Sequence, residues 1–136
     1  MDLSNLLMDV GDLRAPIACL KRLVQLRPDH AKAWQNLAVA QFLRGRYEDG
    51  LISSQEAIKC DPINLMAIHN MALALGNVGR YSEALSHVRR GLSIAPKDEN
   101  LSKLEFRLKV MRIRAKVVGF AKKLFWPLAA SRSKRS

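Results

Sequence analysis

Residues 31–64 read AKAWQNLAVAQFLRGRYEDGLISSQEAIKCDPIN, and residues 65–98 read LMAIHNMALALGNVGRYSEALSHVRRGLSIAPKD. Laid over one another, the two stretches agree at Ala33/Ala67, Asn36/Asn70, Ala38/Ala72, Ala40/Ala74, Gly45/Gly79, Arg46/Arg80, Tyr47/Tyr81, Leu51/Leu85 and Pro62/Pro96. Average composition would supply roughly one match in sixteen positions, about two over this length. Most of the mismatched pairs between them keep their character, as Trp34 with Ile68, Leu37 with Met71, Gly50 with Ala84 and Ile58 with Leu92 do. A fixed period of 34 residues means stacked units that bury their apolar faces on one another rather than around one unique core.

Stepping back by one period aligns Gly11-Asp12-Leu13, Ile17, Leu20, Leu23, Val24 and Pro28 with the second half of the same unit. Residues 1–30 are therefore expected to form an earlier copy whose first helix is cut short at Met1, leaving Leu3, Leu6 and Leu7 on an open end able to self-associate. Pro16 stands where the other copies have Gly50 and Ala84. It falls in the first turn of its helix, where a missing N–H costs little.

Within each unit, Trp34, Leu37, Ala38 and Gln41, then Ile68, Met71, Ala72 and Leu75, recur at helical spacing, and a glycine able to take positive φ ends the run. A second helix follows, with Tyr47, Leu51, Ser54, Ala57 and Ile58 on one face in the first unit and Tyr81, Ala84, Leu85, Val88, Gly91 and Leu92 in the second. Pro62 or Pro96 closes it, because proline cannot continue a helix. Small residues at Ala38, Gly50, Ala57, Ala72, Ala84 and Gly91 mark the places where two helices approach closely.

This pattern resembles the tetratricopeptide repeat (TPR) family, through Trp34, Leu37, Ala38, Gly45, Tyr47, Ala57 and Pro62 in one copy and Met71, Ala72, Gly79, Tyr81, Ala84 and Pro96 in the next. The resemblance covers residues 1–98 and implies an all-α array of helical hairpins, an α-solenoid, with a truncated repeat at 1–30 and full repeats at 31–64 and 65–98. It further implies a concave peptide-binding groove lined by the first helix of each unit. By matching position, the lining here is Asn5, Met8 and Asp9, then Lys32, Gln35, Asn36, Val39, Phe42 and Leu43, then Met66, His69, Asn70, Leu73 and Asn77, with Lys103 and Arg107 extending it. Asn and Gln beside apolar neighbours suit an extended peptide, whose backbone pairs with side-chain amides.

One subgroup of the family clamps the carboxylate of chaperone tails with Lys and Asn on a first unit, Asn on a second, and Lys and Arg on a third. Here Asn5 and Asn36 match in one register, but Met1, Met66 and Asn70 stand at the cationic positions. In the other register Asn70 matches, while Gln35, Val39, Asn100 and Leu104 replace the remaining clamp residues. Neither register completes the clamp, so chaperone-tail binding is not expected.

Charge is divided unevenly along the 136 residues. Residues 1–98 hold 12 Lys/Arg and 10 Asp/Glu, net +2, whereas residues 99–136 hold 11 and 2, net +9. Such a basic end seeks an anionic surface or partner. Asp98 can cap a helix over residues 99–126, since neither Gly nor Pro interrupts the chain at the expected turn. On this long capping helix Leu101, Leu104, Leu108, Met111, Ala115 and Val118 form one stripe. Phe106, Val110, Ile113, Val117, Phe120 and Leu124 form another nearly opposite. The first should close the array, as the terminal element of a solenoid must. The second could cover more of the array, meet another copy, or enter a membrane interface.

Phe120, Leu124, Phe125 and Trp126 with Lys116, Lys122 and Lys123 have the composition of an interfacial amphipathic helix. Residues 127–136 are expected to be a disordered basic tail in which Arg132, Lys134 and Arg135 add anion contacts. The rival expectation is a nucleic-acid-associated protein that uses the same basic segment.

Chemistry-bearing motifs are missing from the sequence. His30, His69 and His87 have no metal-ligand spacing, Cys19 and Cys60 are expected as buried or half-buried small hydrophobes in a reducing compartment, and Gly76 and Gly79 are assigned to the hairpin turn rather than to a phosphate loop. No apolar run reaches the length of a membrane span, and the acidic Asp2 and Asp9 argue against a signal peptide at the N-terminus. The sequence thus predicts a non-enzymatic cytoplasmic adaptor or scaffold without cofactor or metal. Its groove takes a peptide or helix, and its basic end touches an anionic membrane at the periphery.

Overall fold

Three helices begin one repeat apart, and the residue before each supplies a side-chain cap to its first turn. His30 Nδ1 accepts from the Ala33 amide at 3.2 Å, Asn64 Oδ1 from the Ala67 amide at 3.0 Å, and Asp98 Oδ1 from the Leu101 amide at 2.8 Å. The computed structural model describes the backbone of residues 14–133 and the side chains of residues 16–126. Over that range the helices are α1 (Arg14–Leu26), α2 (Ala31–Leu43), α3 (Tyr47–Cys60), α4 (Leu65–Asn77), α5 (Tyr81–Ile94) and α6 (Glu99–Ser133). Expectations for Leu3, Leu6 and Leu7 lie outside the described residues.

Pairs α2–α3 and α4–α5 are antiparallel hairpins, and each repeats the other's boundaries 34 residues on. At both bends a glycine takes positive φ, +74° at Gly45 and +82° at Gly79, as the sequence anticipates. The amides of Arg46 and Arg80 then reach back 2.9 Å to the Gln41 and Leu75 carbonyls, closing the helix ends. The two arginines also bind the first turn of the helix they precede, Arg46 to Asp49 at 2.6 Å and Arg80 to Glu83 in a bidentate pair at 2.8 Å. That pairing holds the Glu83 carboxyl below its usual range and raises Arg80.

One period beyond Gly79 the corresponding position is occupied by Ile113, a β-branched residue for which a left-handed backbone is costly. No bend forms, and α6 runs on as one helix of 35 residues. It also passes the expected end at residue 126. Helix continues through Pro127 to Ser133, so the portion of the expected disordered tail up to residue 133 is helical. Leu128, Ala129 and Ala130 are good helix formers, and Pro127 removes only one backbone hydrogen bond from a helix whose preceding turn is exposed.

The core is continuous between repeats. Ile68, Ala72, Leu75, Ala84, Leu85, Val88, Leu101 and Leu108 are each no more than 1% exposed and belong to one cluster reaching from α3 to α6. A second cluster joins Ile17, Leu20 and Val24 of α1 to Ala33, Leu37 and Ala40 of α2. Trp34 packs on both, and its Nε1 donates to the Pro28 carbonyl at 2.9 Å. Two expectations are corrected. Gly76 is not in the turn but inside α4, buried under Leu108 of α6, where helix contact rather than φ demands glycine. Cys19 and Cys60 are exposed, not half-buried, because both project from second-helix faces that no further repeat covers; the Cys60 thiol donates to the Pro28 carbonyl at 3.3 Å.

Candidate functional site

The first helices α2, α4 and the N-terminal part of α6 stand side by side, and a cleft runs between them. Val39, Phe42 and Leu43 of α2, Tyr47 of α3, and Asn70, Leu73, Ala74 and Asn77 of α4 enclose a cavity of about 390 Å³. Its apolar base has a physical origin in Gly50. A Cβ at that position would fall 2.4 Å from the Phe42 ring, so the absence of a side chain lets the ring lie down on α3. The Tyr47 ring lies 6.2 Å away at a tilt of 32°.

The cleft continues toward α6. His69, Leu73, Asn100, Lys103, Leu104 and Arg107 surround a smaller depression of about 190 Å³, and Leu65, Met66, His69, Asp98, Asn100 and Leu101 another of about 160 Å³. Leu73 is shared with the first cavity, and His69 and Asn100 are shared by the two depressions. One end of the valley is therefore aromatic and aliphatic beside Asn70 and Asn77, and the other carries His69, Asn100, Asp98 and the cations Lys103 and Arg107.

Of the groove residues expected from the sequence, Val39, Phe42, Leu43, Asn70, Leu73 and Asn77 come together at the first cavity, and Met66, His69, Lys103 and Arg107 at its continuation. Lys32 is exposed on the first turn of α2 and lines none of these cavities. Two expected residues are turned inward. Gln35 and Asn36 are each only 8% exposed, and Gln35 Oε1 accepts a hydrogen bond from Asn64 Nδ2 at 3.0 Å. Gln35 thus ties one repeat to the turn that begins the next, because its helical position faces the neighbouring hairpin rather than the valley. Asn5, Met8 and Asp9 lie outside the described residues. Tyr47 and Asn100 were not assigned to the groove by sequence. Tyr47 belongs to a second helix, and only the hairpin bend swings its ring over the first.

The second candidate surface is the free length of α6. Lys116, Phe120, Lys122, Lys123, Leu124, Phe125 and Trp126 are all exposed, with Trp126 77% so. The side chains of Arg132, Lys134 and Arg135 lie outside those described. Where α6 passes the start of α5, Tyr81 with Met111, Arg114, Ala115, Val118, Gly119 and Lys122 borders an open hollow of about 500 Å³, the place a folded-back helix would fill had the turn formed. Among the described residues no helix is long and apolar enough to cross a membrane, and no group of three or more His, Cys, Asp or Glu could hold a metal.

Residues 1–62 match the model of the tetratricopeptide repeat family. A peroxisomal targeting signal receptor of Candida albicans is 31% identical over 78 residues, 57% of this chain and 13% of the receptor. A TPR repeat-containing protein of Rhizobium etli is 31% identical over 101 residues, 69% of this chain and 50% of that protein. The chain thus spans half or less of these curated relatives. In three dimensions it is similar to the second TPR domain of human RPAP3, solved in complex with an HSP70 peptide. The TM-score is 0.72 at 21% identity, over 79% of this chain and 90% of that domain. The chain is a tetratricopeptide repeat protein, an all-α solenoid closed by a long C-terminal helix.

Proposed function

We propose that this protein is an interaction adaptor whose concave valley holds an extended peptide segment. The observation that carries the proposal is the run from the 390 Å³ seat at Phe42 and Leu73 to the cationic end at Lys103 and Arg107. An apolar side chain fills the first, where Asn70 and Asn77 offer amide groups to the peptide backbone, and acidic groups lie against the second. The similar RPAP3 domain holds a peptide, which agrees with a groove of this shape. This chain lacks the full cationic clamp, so its ligand is set by the apolar seat as much as by charge.

Selection from a random peptide library on the intact chain tests this. The expected sequences pair a large apolar residue with Asp or Glu a few positions away. Leu73→Glu abolishes capture with the helical circular dichroism unchanged, whereas the double variant Lys103→Glu/Arg107→Glu removes only the acidic preference. No enrichment, or enrichment indifferent to both variants, refutes the groove.

The free length of α6 is the second part of the proposal, an attachment for something anionic. Ten Lys and Arg and no Asp or Glu follow Glu105 in the sequence. An anionic phospholipid surface at the periphery of the cytoplasm is the first such surface that this composition suggests, with nucleic acid as its rival.

A further inference from the structure

The second apolar stripe of α6 is regular and left exposed. Phe106, Val110, Ile113, Val117, Phe120 and Leu124 are separated by alternating steps of four and three residues, a period of 3.5. All six are exposed, from 39% at Val110 to 73% at Phe106. At 100° per residue they occupy an arc of only about 80°, nearly opposite the face that buries Leu101, Leu104 and Leu108 against the array. In heptad terms Val110, Val117 and Leu124 are a positions and Phe106, Ile113 and Phe120 are d positions. An a/d-only stripe is the narrow seam of a two-helix coil, and β-branched residues at a suit two strands.

The positions beside that seam choose the partner. Lys109, Lys116 and Lys123 fall at g, and Arg107 and Arg114 at e. Lys109 has an intrahelical partner in Glu105 at 3.0 Å; no other carboxylate side chain lies further along the helix. A second copy of this chain laid on the seam would set cation against cation in either orientation, since parallel strands pair g with e and antiparallel strands pair g with g. A bilayer fits less well. It rewards a broad apolar arc with the opposite face polar, whereas here Val118 and Phe125 lie beyond the cations, outside the seam, and are themselves exposed.

We infer that α6 over residues 106–124 is a docking strand for an amphipathic helix of another protein, one that carries apolar residues at its own seam and carboxylates at the flanking positions. The site is about 28 Å long, at about 1.5 Å per residue. It is held clear of the array by the missing bend at Ile113. This inference rests on the proposal that α6 attaches to something anionic, and it names the partner as an acidic helix.

The experiment titrates the intact chain with synthetic peptides of about four heptads, with Val at a and Leu at d, carrying Glu at every e and g in one peptide and Lys in the other. The Glu peptide binds one to one and the Lys peptide does not. Lys116→Glu/Lys123→Glu weakens the Glu peptide by about tenfold or more and takes up the Lys peptide instead. Ile113→Ser/Phe120→Ser abolishes binding of the Glu peptide while the thermal unfolding of the array is unchanged. A chain that sediments as a dimer through the same stripe overturns the inference. So does failure to bind the Glu peptide. In that last case, vesicles of phosphatidylserine distinguish the outcomes: if they sediment the chain, the anionic attachment stands and only the helical partner is wrong, and if they do not, both fall.

Discussion

A methyl group of Leu108 occupies the space that a Cβ on Gly76 would need, 2.5 Å from where that carbon would be. This contact joins the burial of Leu101 and Leu104 in docking α6 on the preceding hairpin. Leu108 is 1% exposed, so it has little room to retreat. Alanine at position 76 gains about 1 kcal/mol in helix propensity and incurs about 1–3 kcal/mol of overpacking. The expected result is that Gly76→Ala destabilises the chain by about 1 kcal/mol. In a Leu108→Ala background the same change should stabilise it by a similar amount. Urea unfolding of the four proteins in this cycle checks the sign reversal, and additive effects would mean the two residues do not interact.

The hairpin bends give a second expectation. Gly45 and Gly79 hold φ of +74° and +82° with no neighbouring atom within 4 Å of a would-be Cβ, so any penalty on substitution is conformational and not steric. Gly45→Ala and Gly79→Ala should each cost about 1–2 kcal/mol, the ordinary cost of a left-handed L-residue, with the helical content at 20 °C or so preserved. Chemical denaturation measures this directly, and a neutral Gly79→Ala would show that the bend relaxes to a right-handed turn.

Gln35 separates a structural amide from a binding one. Its hydrogen bond to Asn64, whose oxygen at the same time caps α4, links two repeats through a single side chain. Asn64→Ala should cost about 1–2 kcal/mol, combining a lost cap with a buried acceptor left unpaired. Gln35→Ala should lower the unfolding midpoint without altering the affinity of any peptide selected on the groove, whereas Asn70→Ala should do the reverse. Loss of peptide affinity in Gln35→Ala at unchanged stability would restore Gln35 to the groove.

A pH dependence follows from His87. Burial pushes its pKa below the ordinary 6.5 and neighbouring Arg90 pushes it further, while Glu83 acts in the opposite direction. The unfolded chain therefore takes up a proton that the folded chain resists. Stability from this group is complete above about pH 6.5 and declines as pH falls from there through the folded-state value. Urea midpoints measured from neutral to mildly acidic pH should fall for the parent protein and fall less steeply for His87→Gln. Identical slopes for the two would remove His87 as the source.

Much of this molecule is legible in one dimension because a repeat states its own rules twice. Gly45 and Gly79, Arg46 and Arg80, and Pro62 and Pro96 mark the bends and boundaries by local chemistry: positive φ, a cation beside a first-turn carboxylate, and a ring that ends a helix. The same locality made the long last helix readable, since Ile113 replaces the glycine on which the bend depends. Leu73 and Asn77, which line one cavity with Val39 and Leu43, share matching positions of the repeat with those two residues, which the sequence already aligns. Tertiary structure decided what periodicity cannot, namely which neighbour a given face meets. Gln35 and Asn36 share the polar character of Asn70, yet they are buried, and nothing in their own helix records that the next hairpin lies over them. Gly76 reads locally as part of a turn, and only the arrival of Leu108 from 32 positions away gives it a role as a notch. Helix, bend and cap are set within a few residues by backbone geometry, whereas contact between repeats is set by the superposition of two surfaces, which exists only once both have folded.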